Sequence, residues 1–427
     1  MVKRWTVAAT VAVTVVGTLA ACSSSGNKGG SSGSASAAPT TGTSSGSTGT
    51  SKPATGSPIS IYFINEQGST TGASYPQETT AAQAAVEYIN KKLGGVNGHP
   101  IKMTTCFTNA TPSATNTCVN KAVAAKPLLV TAGSLADDND IIAVTAKTDI
   151  PYVSNAGFTA QTLTAKGKSF IISNYADASD LAMAQLMKEN GVKHVAEVYV
   201  NVPGVVGGLL PLTEQVYKHL GITYDKYPVA YPTADMTPTI SAIAGTKAEA
   251  IHFQADPITC GAALSAVKAL GYNKPLYAPS ACRNAANNKL IGGLSQTVYT
   301  QVSALPSTTT SDPDVAIENE VFKANSTLSK LMDDQWAVDG FTDIWNIYAA
   351  LVKAVPSGGQ PSRSALISTL QAGGLHQFML GQDVKYTCDG SVFPSLPALC
   401  SLYTLLGVWK GDKITDLKTY NGADALK

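Results

Sequence analysis

Beyond Pro58 the chain alternates short β-rich apolar runs with longer amphipathic stretches, a rhythm that restricts it to an α/β fold with mostly parallel sheets. Ser60-Ile61-Tyr62-Phe63-Ile64 reads as the first strand, followed by a Gly68 to Tyr75 loop and a helix over Glu78 to Lys92. Ala81, Ala85, Tyr88 and Ile89 share one face of that helix. Pro100 to Thr104 is the second strand. A helix over Ser113 to Ala125, a strand at Leu128 to Ala132, a loop at Gly133 to Asp137, a helix to Lys147 and a strand at Ile150 to Ser154 follow. After Phe170-Ile171-Ile172 the pattern starts again, with helices over Asp180 to Asn190 and Leu212 to Leu220 and strands at Val195 to Val200, Tyr227 to Ala230 and Ile251 to Gln254. Two similar α/β halves in series are expected. The helix over Trp336 to Ala354 and the late strands near Lys385 and Tyr403 join one half or the other.

The N-terminus carries a different signal. Lys3 and Arg4 precede an apolar run from Trp5 to Leu19 that ends in Leu19-Ala20-Ala21-Cys22. A basic start, a short apolar core and small residues before a cut describe a secretory signal over 1–21, too short to span a bilayer stably. The pattern resembles that of bacterial lipoproteins, which implies lipidation of Cys22 and an extracytoplasmic protein anchored to the cell membrane by lipid. Residues 22–57 then form a Ser/Gly/Thr tether whose only charges are Lys28 and Lys52. Such a segment cannot build a core, and its r.m.s. span is on the order of 30 to 35 Å. Two G-x-S-x-G strings inside it, Gly29 to Gly33 and Gly42 to Gly46, lack the strand and helix that a nucleophile elbow requires.

About 370 residues remain for the folded part, enough for two lobes with substantial cores. Without Lys3 and Arg4, 28 basic residues face 29 acidic ones. No dense Lys/Arg run with interleaved aromatics appears, which disfavours nucleic acid as a partner. With Cys22 assigned to lipid, six cysteines are left. Their spacing suggests Cys106 with Cys118, Cys260 with Cys282 and Cys388 with Cys400, although other connectivities stay open. No C-x-x-C, H-E-x-x-H or Cys/His cluster occurs, so no metal site and no cofactor is expected.

Several strings together resemble one family. AAQAAVEYINKKLGGVNGHPIKM (Ala81 to Met103), Leu129 to Ser134, Ile150 to Ala156, Lys188 to Val195 and Ala337-Val338-Asp339-Gly340-Phe341-Thr342-Asp343 are similar, in order and spacing, to the branched-chain amino-acid type of solute-binding protein serving ABC importers. The resemblance implies a type I periplasmic-binding fold: two Rossmann-like lobes with mostly parallel sheets joined by a three-segment hinge. Crossings near Tyr175, Leu305 and Leu380 would divide the chain into 58–174 plus 306–379 and 175–305 plus 380–427.

In open α/β sheets, ligands bind outside the carboxyl ends of the strands. The loops there are Gln67 to Tyr75, Gly133 to Asp137 and Asn155 to Thr159 in lobe one, and Asn201 to Gly207, Ala255 to Thr259 and Ser280 to Asn284 in lobe two. The family resemblance implies that Ser134 and Thr159 hold a ligand carboxylate, with Leu135, Asn155 and Ala156 beside them. Asp137 and Asp138 follow Ser134, where an acidic pair would repel a carboxylate. They read either as solvated helix caps or as partners of a cationic or polyhydroxylated ligand. Asp256 reads equally as a turn residue before Pro257 and as the acid that meets a ligand ammonium. Asp339 is the acid expected on lobe one's return helix. Arg283 pairs with an acidic ligand or braces Cys282. Tyr75, Trp336 and Phe341 are candidates for an apolar wall, or for the core.

These readings lead to a monomeric, lipid-anchored solute-binding protein that captures a small polar solute, foremost an amino acid or related compound, and delivers it to an ABC permease. A sensor for a signalling partner and a surface lipoprotein without transport are the alternatives. Enzyme function has little support, because no histidine lies in the cleft loops and adjacent Asp137 and Asp138 diverge where a glycosidase pair would face across the scissile bond.

Overall fold

The computed structural model describes residues 53–68, 74–109, 111–135, 138–173, 175–202 and 205–427. Cys22, most of the tether and Asp137 lie outside the described residues. The first lobe opens with β1 (Ile59–Glu66), α1 (Pro76–Lys92), β2 (Ile101–Thr108), α2 (Pro112–Ala125), β3 (Leu129–Ala132), α3 (Asn139–Thr145), β4 (Tyr152–Ser154), α4 (Ala160–Thr164) and β5 (Ser169–Ile171). The second lobe follows with α5 (Tyr175–Glu189), β6 (His194–Val200), α6 (Leu210–Leu220), β7 (Thr223–Val229), α7 (Thr237–Ala244), β8 (Ala250–Gln254), α8 (Pro257–Ala269), β9 (Leu276–Ala278), α9 (Ala285–Ile291) and β10 (Val298–Val302). The chain returns to the first lobe for α10 (Pro313–Ala324), α11 (Gln335–Ala354), α12 (Arg363–Ala372) and a small ribbon of β11 (Leu375–His376) and β12 (Lys385–Tyr386). It ends in the second lobe as a hairpin, β13 (Tyr403–Lys410) and β14 (Lys413–Asn421).

The first sheet has the order β2-β1-β3-β4-β5 and is parallel throughout. The second runs β14-β13-β10-β9-β8-β6-β7, parallel except where the C-terminal hairpin adds to β10. β1 shows why such strands read as unbroken apolar runs. Ile61 and Phe63 enter the core shared with α1 and α11, while Tyr62 and Ile64 enter the core on the opposite face. A strand covered by helices on both sides has no polar face to alternate with.

The chain passes between lobes after β5, again after β10 and a third time before β13. The expected third crossing near Leu380 falls later, after Cys400. β11 pairs with β12, Cys388 donates its N–H to Leu370 O, and Ile171 N–H bonds Ala398 O while Cys400 N–H bonds Ile171 O. The Cys388–Cys400 disulfide closes this loop, whose end lies along β5 as an extra edge. Hydrogen bonding to the first sheet, invisible in local sequence, therefore keeps 380–400 in lobe one. Cys106–Cys118 and Cys260–Cys282 also form. The tether's last residues are bound as well: Ala54 N–H reaches Asn90 O, and the N–H groups of Thr55 and Gly56 reach Gly98 O.

α1 and α11 approach closely at Gly340, where an added Cβ would lie 2.8 Å from Glu78 Cα, inside any real contact. Gly340→Ala gains roughly 1 kcal/mol of helix propensity but forces two backbones apart. A net loss of about 1 to 3 kcal/mol is expected in urea denaturation. An unchanged midpoint would mean that the helices separate without cost.

Candidate ligand-binding cleft

The loops after β8 and β9 in lobe two and the first turns of α1 and α11 in lobe one line the space between the lobes. Tyr75 precedes α1, and its ring packs on Trp336 at the start of α11, centroids 4.4 Å apart. Tyr231, on the loop after β7, is one of the exposed large side chains. Burial, Asp256 of its own lobe and Glu66 of the other all raise its hydroxyl pKa, so Tyr231 stands within the fields of both lobes. The Tyr75 hydroxyl is raised by burial first, then by Glu66, Glu78 and Tyr231.

A cavity of about 500 Å³ is lined by Gln77, Asp333, Gln335 and Trp336 from lobe one and by Pro257, Ser280, Arg283 and Asn284 from lobe two. A neighbouring cavity of about 330 Å³ shares Ser280, Arg283, Asp333 and Gln335 and reaches the second crossing at Ser303 to Pro306. Arg283 borders both. Its Nε is buried without a protein hydrogen bond, and burial lowers its pKa while Asp333 opposes the shift.

Ser134 stands at the carboxyl end of β3, with its N–H and hydroxyl converging on one carboxylate. That carboxylate is Glu78 of α1, accepting at 2.8 Å from the N–H and at 2.6 Å from the hydroxyl. Thr159 caps α4 and donates its hydroxyl to Asp138 at 2.5 Å, and the Phe158 N–H donates to the same carboxylate at 2.9 Å. Asp138 is completely buried and does not cap α3 with its side chain, which replaces the expectation of a solvated cap. The cost of burying the carboxylate is offset by donors from the next loop.

Asn155 is held by α11. Its N–H donates to Asp343 at 2.8 Å, its Nδ2 to the Thr342 hydroxyl at 2.9 Å, and its Oδ1 accepts from Asn346. Leu135 joins the apolar core behind the loop, and Ala156 is buried with its N–H on the Ser154 hydroxyl. Asp256 caps α8, accepting from the N–H groups of Ile258 and Thr259 and from the Thr259 hydroxyl. Asp339 is 8 % exposed, and burial pushes its pKa up to about 7. Asp343, also driven by burial, rises to about 7. Glu78 is raised well above the usual carboxylate range by burial, with the Ser134 bonds pulling the other way. Phe341 faces the core rather than the cleft, against Phe322, Trp345 and Phe378.

Sequence reasoning did not assign Glu78, Asp343 or Tyr231 to the site. Glu78 stands in the first turn of a helix, where acids are common for dipole reasons alone, and nothing local shows which loop it meets. Among the described residues no group of three or more His, Cys, Asp or Glu is arranged to hold a metal ion, and no helix is long and apolar enough to cross a membrane.

Two parallel α/β lobes, joined by three crossings around a cleft lined from both sides, define a solute receptor. Residues 58–394 match the family described as periplasmic binding protein, and the chain belongs to that family. The fold is shared with a fatty acid ABC transporter substrate-binding protein from Thermomonospora curvata, at 15 % identity, TM-score 0.67, and coverage of 87 % of this chain and 95 % of that one. It is also shared with a leucine-binding protein from Thermotoga maritima (15 %, 0.67, 86 % and 99 %). A branched-chain amino acid ABC transporter protein from Thermus thermophilus with bound valine aligns at 11 % identity and TM-score 0.70, covering 85 % and 96 %. No curated protein sequence matches significantly.

Proposed function

We propose that this chain is a lipid-tethered, extracytoplasmic receptor that captures a small polar solute between its lobes and delivers it to an ABC importer. The observation that carries the reading is the 500 Å³ cavity with walls from both lobes, Gln77 and Trp336 on one side and Ser280 and Arg283 on the other. A solute favours the closed clamp only by contacting it more fully than the open one, and a cavity walled from both lobes meets that need. Of the structural relatives named above, the Thermomonospora curvata protein is an ABC transporter substrate-binding protein and the Thermus thermophilus one a branched-chain amino acid ABC transporter protein with bound valine. Cys22, behind Leu19-Ala20-Ala21 and ahead of a Ser/Gly/Thr segment, supports lipid attachment at a membrane.

The test is a thermal-shift panel of amino acids, amides, amines, sugars and aromatic acids on the mature chain carrying Cys22→Ser, followed by small-angle scattering. The cognate solute at 100 times its Kd is expected to add about 2.7 kcal/mol of stability and to shrink the radius of gyration. A panel in which no compound raises the midpoint or compacts the protein would count against the receptor reading.

A further inference from the structure

Glu78 and Ser134 form a complete carboxylate-recognition contact inside one chain. An N–H and a hydroxyl of one residue reach the two oxygens of one carboxylate, at 2.8 and 2.6 Å. Both oxygens of a buried acid are thereby satisfied, which offsets the cost of taking the group out of water. Both residues are buried, Glu78 at 1 % and Ser134 at 5 % exposure. Space for the insertion is built from two directions. A Cβ at Gly133 would collide with Glu78 Oε2, and a Cβ at Gly340 with the Glu78 backbone. The adjacent donors are engaged in the same way, Phe158 and Thr159 by Asp138 and the Asn155 N–H by Asp343. The Ser134 N–H and hydroxyl, the Asn155 and Phe158 N–H groups and the Thr159 hydroxyl, at the ends of β3 and β4, thus meet acidic side chains of the protein itself.

We propose that Glu78 is a specificity-determining residue: its side chain occupies the position where the loop after β3 can receive a carboxylate, so the cleft takes solutes with no carboxylate at that end. The proposal rests on the receptor reading and narrows its solute class to amines, amides or hydroxyl compounds docked with that end toward α1. Free monocarboxylates, α-amino acids included, are excluded from the Ser134 donors by a group that is already there. Alanine at position 78 removes a fragment the size of acetate and leaves those donors vacant.

The experiment compares the mature Cys22→Ser chain with the same chain carrying Glu78→Ala, using acetate, L-leucine and L-leucinamide as probes and potassium chloride as the ionic-strength control. Tens of millimolar acetate is expected to raise the melting midpoint of Glu78→Ala by several degrees and to leave the parent unmoved. Adding Ser134→Ala to Glu78→Ala should abolish that response. L-leucine should bind Glu78→Ala about tenfold or more tightly than it binds the parent in titration calorimetry, with the affinity for L-leucinamide unchanged. Equal responses of parent and variant to acetate and L-leucine would overturn the proposal. So would a parent that binds L-leucine and loses it in Ser134→Ala, a measurement that does not depend on Glu78→Ala folding. A parent that closes on no solute would defeat the receptor reading, whereas acetate rescue of Glu78→Ala requires no closure and would still stand.

Discussion

Urea denaturation is expected to show the protein more stable at pH 5 than at pH 8.5, by on the order of 5 kcal/mol. Four buried acids set the direction. Burial raises Asp180, Asp339 and Asp343 to about 7 and Glu318 to about 8, all far above ordinary carboxylates. Glu78 shifts the same way. A raised folded-state pKa means that, between about pH 4 and pH 7 to 8, the native chain holds protons which the unfolded chain has released. Stability then falls as pH rises through that window, being fully present below the unfolded values and lost above the folded ones. His252 and His376 act in the same sense, because neighbouring carboxylates raise them against the opposing effect of burial. Asp149, Asp235, Glu249 and Asp389 are lowered and act oppositely, but they are exposed and screened, so their weight is small. Equal midpoints at the two pH values would show that the buried acids ionise in the native state without cost.

Phe341→Ala is expected to remove about 3 to 5 kcal/mol of stability while leaving solute selectivity unchanged. Phe341 is fully buried, with its ring centroid 5.3 Å from Phe322, 5.9 Å from Trp345 and 6.0 Å from Phe378. Trp345 and Phe378 stack at 4.9 Å beside it, so the space left by the ring cannot close without breaking that stack. Asp343 through its carboxyl group and Asp339 through its backbone carbonyl, four residues apart on α11, meet the loop after β4. One helix thus braces the cleft with its polar side and anchors the lobe with its aromatic side. A denaturant midpoint that drops with an unchanged slope would confirm the packing role. A change in which solutes bind would place Phe341 in the cleft wall instead.

Much of the scaffold was legible in local sequence. Runs such as Ile61 to Ile64, and Val195 to Val200 apart from the buried Glu197, are apolar because helices cover both faces of each sheet. The disulfides join cysteines 12 or 22 positions apart, so loop length pointed to the pairs that form. The site was legible as a set of loops but not as chemistry. Ser134 and Thr159 were recognisable as donors behind strands, whereas their partners were not: Ser134 and Glu78 are 56 positions apart, and Asn155 and Asp343 are 188 apart.

The amino-acid sequence by itself determined the two-lobed α/β architecture and the loops that border the cleft, because periodicity and strand-end position are local properties. Tertiary structure alone decided which carboxylates those loops hold, which lobe keeps residues 380 to 400, and that Asp256 serves as a helix cap. Those outcomes depend on distances between side chains brought together by packing, and a hydrogen-bond donor accepts whichever acceptor the fold carries to it first.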